Sequence, residues 1–202
     1  MSQERRTSSH PPRPAKKAAS KPYESLLYQS TISTTDEVSA ILNNHGLRVS
    51  LELPVRAPFP HERSCHTPAG SPSLQYSAWS QEHLRAGALL LLRPYFRNFL
   101  DHVELAPFQL QTNAYRILAA LKSLYCLREW GEPSPEEISY LLSLKRNPPG
   151  SHGGEGFYYL ASWPQEKKLF EDVPNKPPNY KIQFFWTGAL GCRHSSFNRA
   201  RK

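Results

Sequence analysis

The sequence is poor in the residues that announce a familiar chemistry. Its three cysteines, Cys65, Cys126 and Cys192, are an odd number without paired spacing, which excludes a disulfide framework and a zinc ribbon. Reduced thiols and an intracellular setting follow as expectations, with nucleus and cytoplasm not distinguished. Long apolar runs are missing too. The longest, Ala86 to Leu92, falls far short of the roughly 20 residues of a membrane-spanning helix, so no membrane partner is expected. The N-terminal MSQERRTSSHPPRP lacks the apolar stretch of a secretory signal.

Glycine is scarce, 10 residues against 19 prolines. The Gly-rich stretch Gly150 to Gly156 is followed neither by Lys-Ser/Thr nor by a helix start that would hold a phosphate, so it reads as a flexible connector. There is no G-x-S-x-G elbow and no H-E-x-x-H pair. His61, Cys65 and His66 cluster, as do Cys192 and His194, but without metal-ligand spacing. The acids are scattered. Asp36-Glu37 and Glu136-Glu137 serve helix starts rather than a two-metal centre. No catalytic residue, cofactor or metal ligand is therefore expected, and the chain does not read as an enzyme.

What is present is charge, unevenly placed. The 202 residues carry 25 Lys+Arg and 17 Asp+Glu, a formal net charge of +8. Residues 1–22 hold six bases, Arg5, Arg6, Arg13, Lys16, Lys17 and Lys21, and one acid, Glu4, for +5. The last ten residues add +4 from Arg193, Arg199, Arg201 and Lys202. Residues 23–192 therefore carry −1, from 15 bases and 16 acids. The first 22 residues have no large apolar side chain after Met1, so they cannot offset ordering entropy and are expected to be disordered. Arg5, Arg6, Arg13, Lys16, Lys17, Arg199, Arg201 and Lys202 are the candidate contacts to nucleic acid, a non-specific interaction driven by counterion release. An import signal around Arg13 to Lys17, or a solvated tail without a partner, accounts for the same residues equally well.

The body alternates between helix and strand patterns. Thr34 with Glu37 three residues on has capping-box spacing, Val38, Ile41 and Leu42 share a face, and Gly46 stops the helix. Arg48 to Leu53 alternates as a strand that Pro54 ends, and residues 54–73, with five prolines, read as a loop. Trp79 to Leu92 reads as a helix capped by Ser80, Pro94 to Val103 as a second with an N1 proline, and Ala114 to Glu129, capped by Asn113, as the longest. Ser134-Pro135-Glu136-Glu137 starts another helix, reaching Arg146, where Lys145-Arg146 complement its C-terminal dipole. Phe157 to Trp163 and Tyr180 to Trp186 are aromatic, β-like runs expected to pair antiparallel with each other.

The fold class expected is α+β: a mostly helical body with a small C-terminal antiparallel aromatic β-hairpin and disordered termini. One domain spans 23–192, between a basic tail at 1–22 and another at 193–202. The helical pair from Ala114 to Lys145 also invites a helix-turn-helix reading, which makes a nuclear DNA-binding protein the alternative. Glu136 and Glu137 count against it, because they occupy the turn that would meet the phosphates.

Several segments, in order and at matching spacing, resemble a plant domain family, the gypsy-type transposon domain. They are Arg93-Pro94-Tyr95-Phe96, Leu100-Asp101-His102, Leu105-Ala106-Pro107-Phe108-Gln109-Leu110, Asn113 to Leu118, Glu132-Pro133-Ser134, Leu142 to Pro148 and Phe157 to Leu160. Thr35-Asp36-Glu37, Gly46-Leu47 and Pro60-His61-Glu62-Arg63 extend the likeness to about residues 34–188. Members lie near the Gag position of gypsy-type long-terminal-repeat retrotransposons. The resemblance implies a non-catalytic, Gag-like structural or interaction protein of a plant, with self-association or a protein partner as its business. It supplies no catalytic residues. The chain lacks the zinc knuckle common in Gag proteins, and it ends fourteen residues after Gly188, where family members commonly continue.

Overall fold

The computed structural model describes residues 29–47, 54–60, 62, 76–88, 90, 92–147, 157–163, 169–170, 173 and 180–188. Both expected tails, the strand at 48–53 and the stretch 148–156 lie outside the described residues.

Helix α1, Thr35–Asn44, starts as its sequence requires: Thr34 Oγ1 accepts from the Glu37 amide, and Glu37 accepts the Ser33 amide. Val38 and Leu42 are buried, and Gly46 takes the positive φ of 69° that closes the turn. Strand β1, Val55–Arg56, is short. Strand β2, Tyr76–Ser80, runs directly into α2, Gln81–Arg85. Helix α3, Pro94–His102, carries proline in its first turn and buries Tyr95, Phe96, Phe99 and Leu100. A 3-10 turn at Pro107–Gln109 leads into α4, Thr112–Leu127. Helix α5, Pro135–Leu141, shows both halves of the capping box between Ser134 and Glu137. Strands β3, Leu142–Arg146, β4, Tyr158–Ser162, and β5, Phe184–Gly188, complete the order.

The architecture is mixed α+β, as expected, but the strands pair differently. The two aromatic runs do not form a hairpin. β4 pairs antiparallel with β3, while β5 lies between β1 and β2 in a three-stranded antiparallel sheet. β5 is buried at all five positions, so its uninterrupted aromatic run suits a central strand covered on both faces. β4 alternates around one buried residue, Leu160.

Two expected helices are shorter than their patterns suggest. Trp79 belongs to β2, and α2 stops at Arg85 because Gly87 adopts a φ of 87°. The fourth helix ends at Leu141 instead of Arg146. Leu142-Ser143-Leu144-Lys145-Arg146 has good helix formers, yet five cross-strand partners from Arg146–Tyr158 to Leu142–Ser162 hold it extended. Lys145 and Arg146 therefore complement no helix dipole. At the start of α4, Gln111 and not Asn113 takes the cap position, and Asn113 Oδ1 accepts from Arg116 at 2.7 Å instead.

The main core gathers Val38, Leu42, Trp79, Leu84, Phe99, Leu100, Tyr115, Leu118, Leu121, Ile138 and Phe185 around α4. A smaller aromatic core joins Phe108, Phe157, Tyr180, Phe184 and Trp186 beneath β5. Each such side chain contributes roughly 1.5–3 kcal/mol on burial, which lets a balanced, proline-rich body fold.

Candidate functional site

Three constellations stand out, and the physical state of each decides what it can do. The first joins the two cores. His83 in α2 is fully buried, with Nδ1 2.7 Å from the Ser80 hydroxyl and Nε2 3.1 Å from the Leu110 carbonyl. A carbonyl can only accept, so Nε2 carries the proton and Nδ1 accepts from Ser80. The rings of Trp79, Phe108, Tyr115 and Tyr180 surround the imidazole at 5.2 to 6.2 Å. Burial pulls its pKa down to about 4, against the carbonyl bond that favours the cation. The Ser80 hydroxyl beside a neutral imidazole has the composition of a nucleophilic pair, but both residues have zero solvent exposure. The pair pins β2, α2 and the 3-10 turn together.

The second is a clasp on Glu62, whose carboxylate accepts two bonds from Arg56, at 2.7 Å each, one from the Phe59 amide at 2.8 Å, and one from the Trp186 indole at 3.0 Å. Arg56 lies over the rings of Phe59 and Tyr76. Burial works against ionisation of Glu62, but these hydrogen bonds and the Arg56 charge outweigh it and hold the carboxyl below its ordinary value. With its acceptor sites taken, the carboxylate is a strut between loop and sheet.

The third is a surface. Leu127 and Tyr140 are 82% exposed, Trp130 65% and Trp163 44%. Leu127 ends α4, Trp130 sits in the following turn with its ring edge 5.4 Å from Tyr125, and Tyr140 is in the last turn of α5. Trp163, just past β4, donates its indole N–H to the Tyr140 carbonyl at 2.9 Å. Glu137 links the halves: after partial burial, its charge is what raises the phenol of Tyr125 across from it. Leu169 continues the patch, its amide bonded to the Ser162 hydroxyl. Four large side chains left in water on one corner are what a contact surface requires.

This corner escaped the sequence reading for a physical reason. In α4 the buried stripe is Ala114, Tyr115, Leu118 and Leu121, and Leu127 is off that face. In α5, Ile138 is buried while Tyr140 points away. The readable signal was an apolar residue out of phase with its own helix.

Of the sequence-stated candidates, Arg5, Arg6, Arg13, Lys16, Lys17, Arg199, Arg201 and Lys202 lie outside the described residues, as do His61, Cys65, His66, Cys192 and His194. Cys126 is an exposed free thiol. Among the described residues no group of three or more His, Cys, Asp or Glu is placed to hold a metal ion, and no helix is long and apolar enough to cross a membrane. The helical pair once considered for DNA is seen as α4 and the seven-residue α5, whose first turn carries Glu136 and Glu137. The chain matches no family model, no curated protein and no solved structure.

Proposed function

We propose that this chain is a non-catalytic interaction protein of the Gag-like kind, whose body makes protein contacts through the corner of Leu127, Trp130, Tyr140 and Trp163 and whose basic ends touch nucleic acid. The observation that carries the reading is the exposure of those four side chains on one corner of a body that is otherwise packed. Supporting it, the two polar constellations most like reactive groups, Ser80 with His83 and Arg56 with Glu62, are consumed by internal bonds. The segments that carry the transposon-domain likeness include the buried residues Tyr95, Phe96, Leu105, Phe108, Tyr115 and Phe157, so the likeness falls on residues that build the fold. The division of charge, −1 in the body and +5 and +4 at the ends, separates the two kinds of contact.

The test is sedimentation of the full chain across about a hundredfold concentration range, in salt high enough to screen the tails. Wild type is expected to associate with itself, and Leu127→Ser combined with Trp130→Ser and Tyr140→Ser to remain monomeric. Monomers throughout for both chains would overturn the self-contact reading. Nucleic-acid binding is measured separately, as a salt-dependent affinity that falls when the six bases of residues 1–22 are replaced by Gln.

A further inference from the structure

We propose that the chain's own N-terminal segment, residues 1–22, folds back in cis onto the corner formed by Leu127, Trp130, Tyr140 and Trp163. The proposal rests on reading that corner as a contact surface. Charge selects the occupant. From Leu127 to Leu141 there are four acids, Glu129, Glu132, Glu136 and Glu137, and one base, Arg128. Lys122 pairs with Glu132, and His102 lies 3.5 Å from Glu136, so part of this acidity is answered locally and the remainder faces solvent beside the aromatic rings.

A second copy presenting the same corner would bring these acids face to face, and like charges in register oppose such pairing. The segment 1–22 has the opposite character: a charge of +5, with Pro11, Pro12 and Pro14 among the bases. Guanidinium and ammonium groups sit favourably over indole and phenol rings, and proline packs on exposed aromatic faces. No single contact of this sort is strong. Tethering compensates, because a segment on the same chain meets the corner at an effective concentration in the millimolar range. The bases that would bind a polyanion are then the ones that cover the corner, so the two contacts compete.

The tryptophans supply the test. Trp79 and Trp186 are 2% exposed, whereas Trp130 and Trp163 lie open, so quenching of fluorescence by neutral acrylamide reads the corner. In the full chain at low salt and low micromolar concentration, replacing Arg5, Arg6, Arg13, Lys16, Lys17 and Lys21 by Gln should raise the quenching constant roughly twofold. Raising salt to about 0.5 M should bring wild type to the value of the variant. Replacing Arg199, Arg201 and Lys202 by Gln should change nothing.

Equal quenching of wild type and the six-base variant at low salt would overturn the proposal. So would protection that grows with protein concentration, which would assign the segment to a second copy, or protection lost only with the C-terminal bases. Self-association in high salt with unchanged quenching would remove the fold-back and leave the contact surface standing. A quenching shift without self-association would do the reverse.

Discussion

The indole N–H of Trp186, in the central strand β5, donates to the Glu62 carboxylate 3.0 Å away, across 124 residues of chain. That bond closes the clasp in which Arg56 and the Phe59 amide also bind Glu62. It ties the proline-rich segment to the sheet, and it makes Glu62 the residue whose loss leaves the most partners stranded.

Glu62→Ala should therefore lower unfolding stability by about 2–4 kcal/mol, since it leaves a half-buried guanidinium and a buried indole N–H without their acceptor. Denaturant titration of both chains measures it. Replacing Arg56 and Glu62 together by Met and Leu should cost less than Glu62→Ala alone, because no uncompensated charge remains. The Glu62 carboxyl is held below its ordinary value, so its contribution is full above about pH 4.5 and lost as pH falls through the lower folded-state value.

His83 acts in a different window. The unfolded chain takes up a proton near pH 6.5 and the folded chain only near 4. Stability should fall as pH drops from about 6.5 to 4 and then level off, a total of about 3 kcal/mol from this group. Chemical denaturation at half-unit pH steps checks it. His83→Gln should be less stable at pH 7 and should flatten the curve between pH 6.5 and 4.5, leaving the steeper loss below that range to the carboxylates. A wild-type stability that does not change across that window would contradict the buried, neutral imidazole.

Gly188 gives a steric prediction. A Cβ at this position would lie 2.5 Å from Cγ of Pro54, and the Gly188 amide already donates to the Pro54 carbonyl at 2.7 Å. The opposing atom belongs to a closed ring, and β5 has strands on both sides, so neither partner gives way cheaply. Gly188→Ala should cost about 1–3 kcal/mol, read as a fall in melting temperature.

What the sequence made legible follows from how local each signal is. The caps at Thr34 and Ser134 are contacts within four residues, and both were found where expected. Helix α3 and the body of α4 followed their apolar stripes. The misreadings are all non-local. Leu142 to Arg146 has the composition of a helix end and becomes a strand because β4 offers it a ladder. Tyr180 to Trp186 looked like the partner of Phe157 to Trp163, yet β5 pairs with Val55–Arg56 and Tyr76–Ser80, segments some hundred residues earlier. The Trp186 to Glu62 bond has the same cause: nothing near either residue announces the other. The corner at Tyr140 was hidden by the opposite habit, that of assigning every large apolar residue to the core.

That corner also makes a prediction about what the fold does not need. Leu127 and Tyr140 are each 82% exposed, and the bond from the Trp163 indole goes to the backbone carbonyl of Tyr140, which any residue supplies. Leu127→Ser and Tyr140→Ser should each change stability by no more than about 0.5 kcal/mol. Leu121→Ala, six residues before Leu127 on the same helix but fully buried, should cost about 2–5 kcal/mol. The contrast is measured by denaturant unfolding of the three variants beside wild type. A loss above about 2 kcal/mol for Tyr140→Ser would mean that the side chain is packed in solution, and the corner would then belong to the interior and be closed to any partner. Small effects at Leu127 and Tyr140 beside a large one at Leu121 would leave contact as the reason for keeping apolar side chains in water.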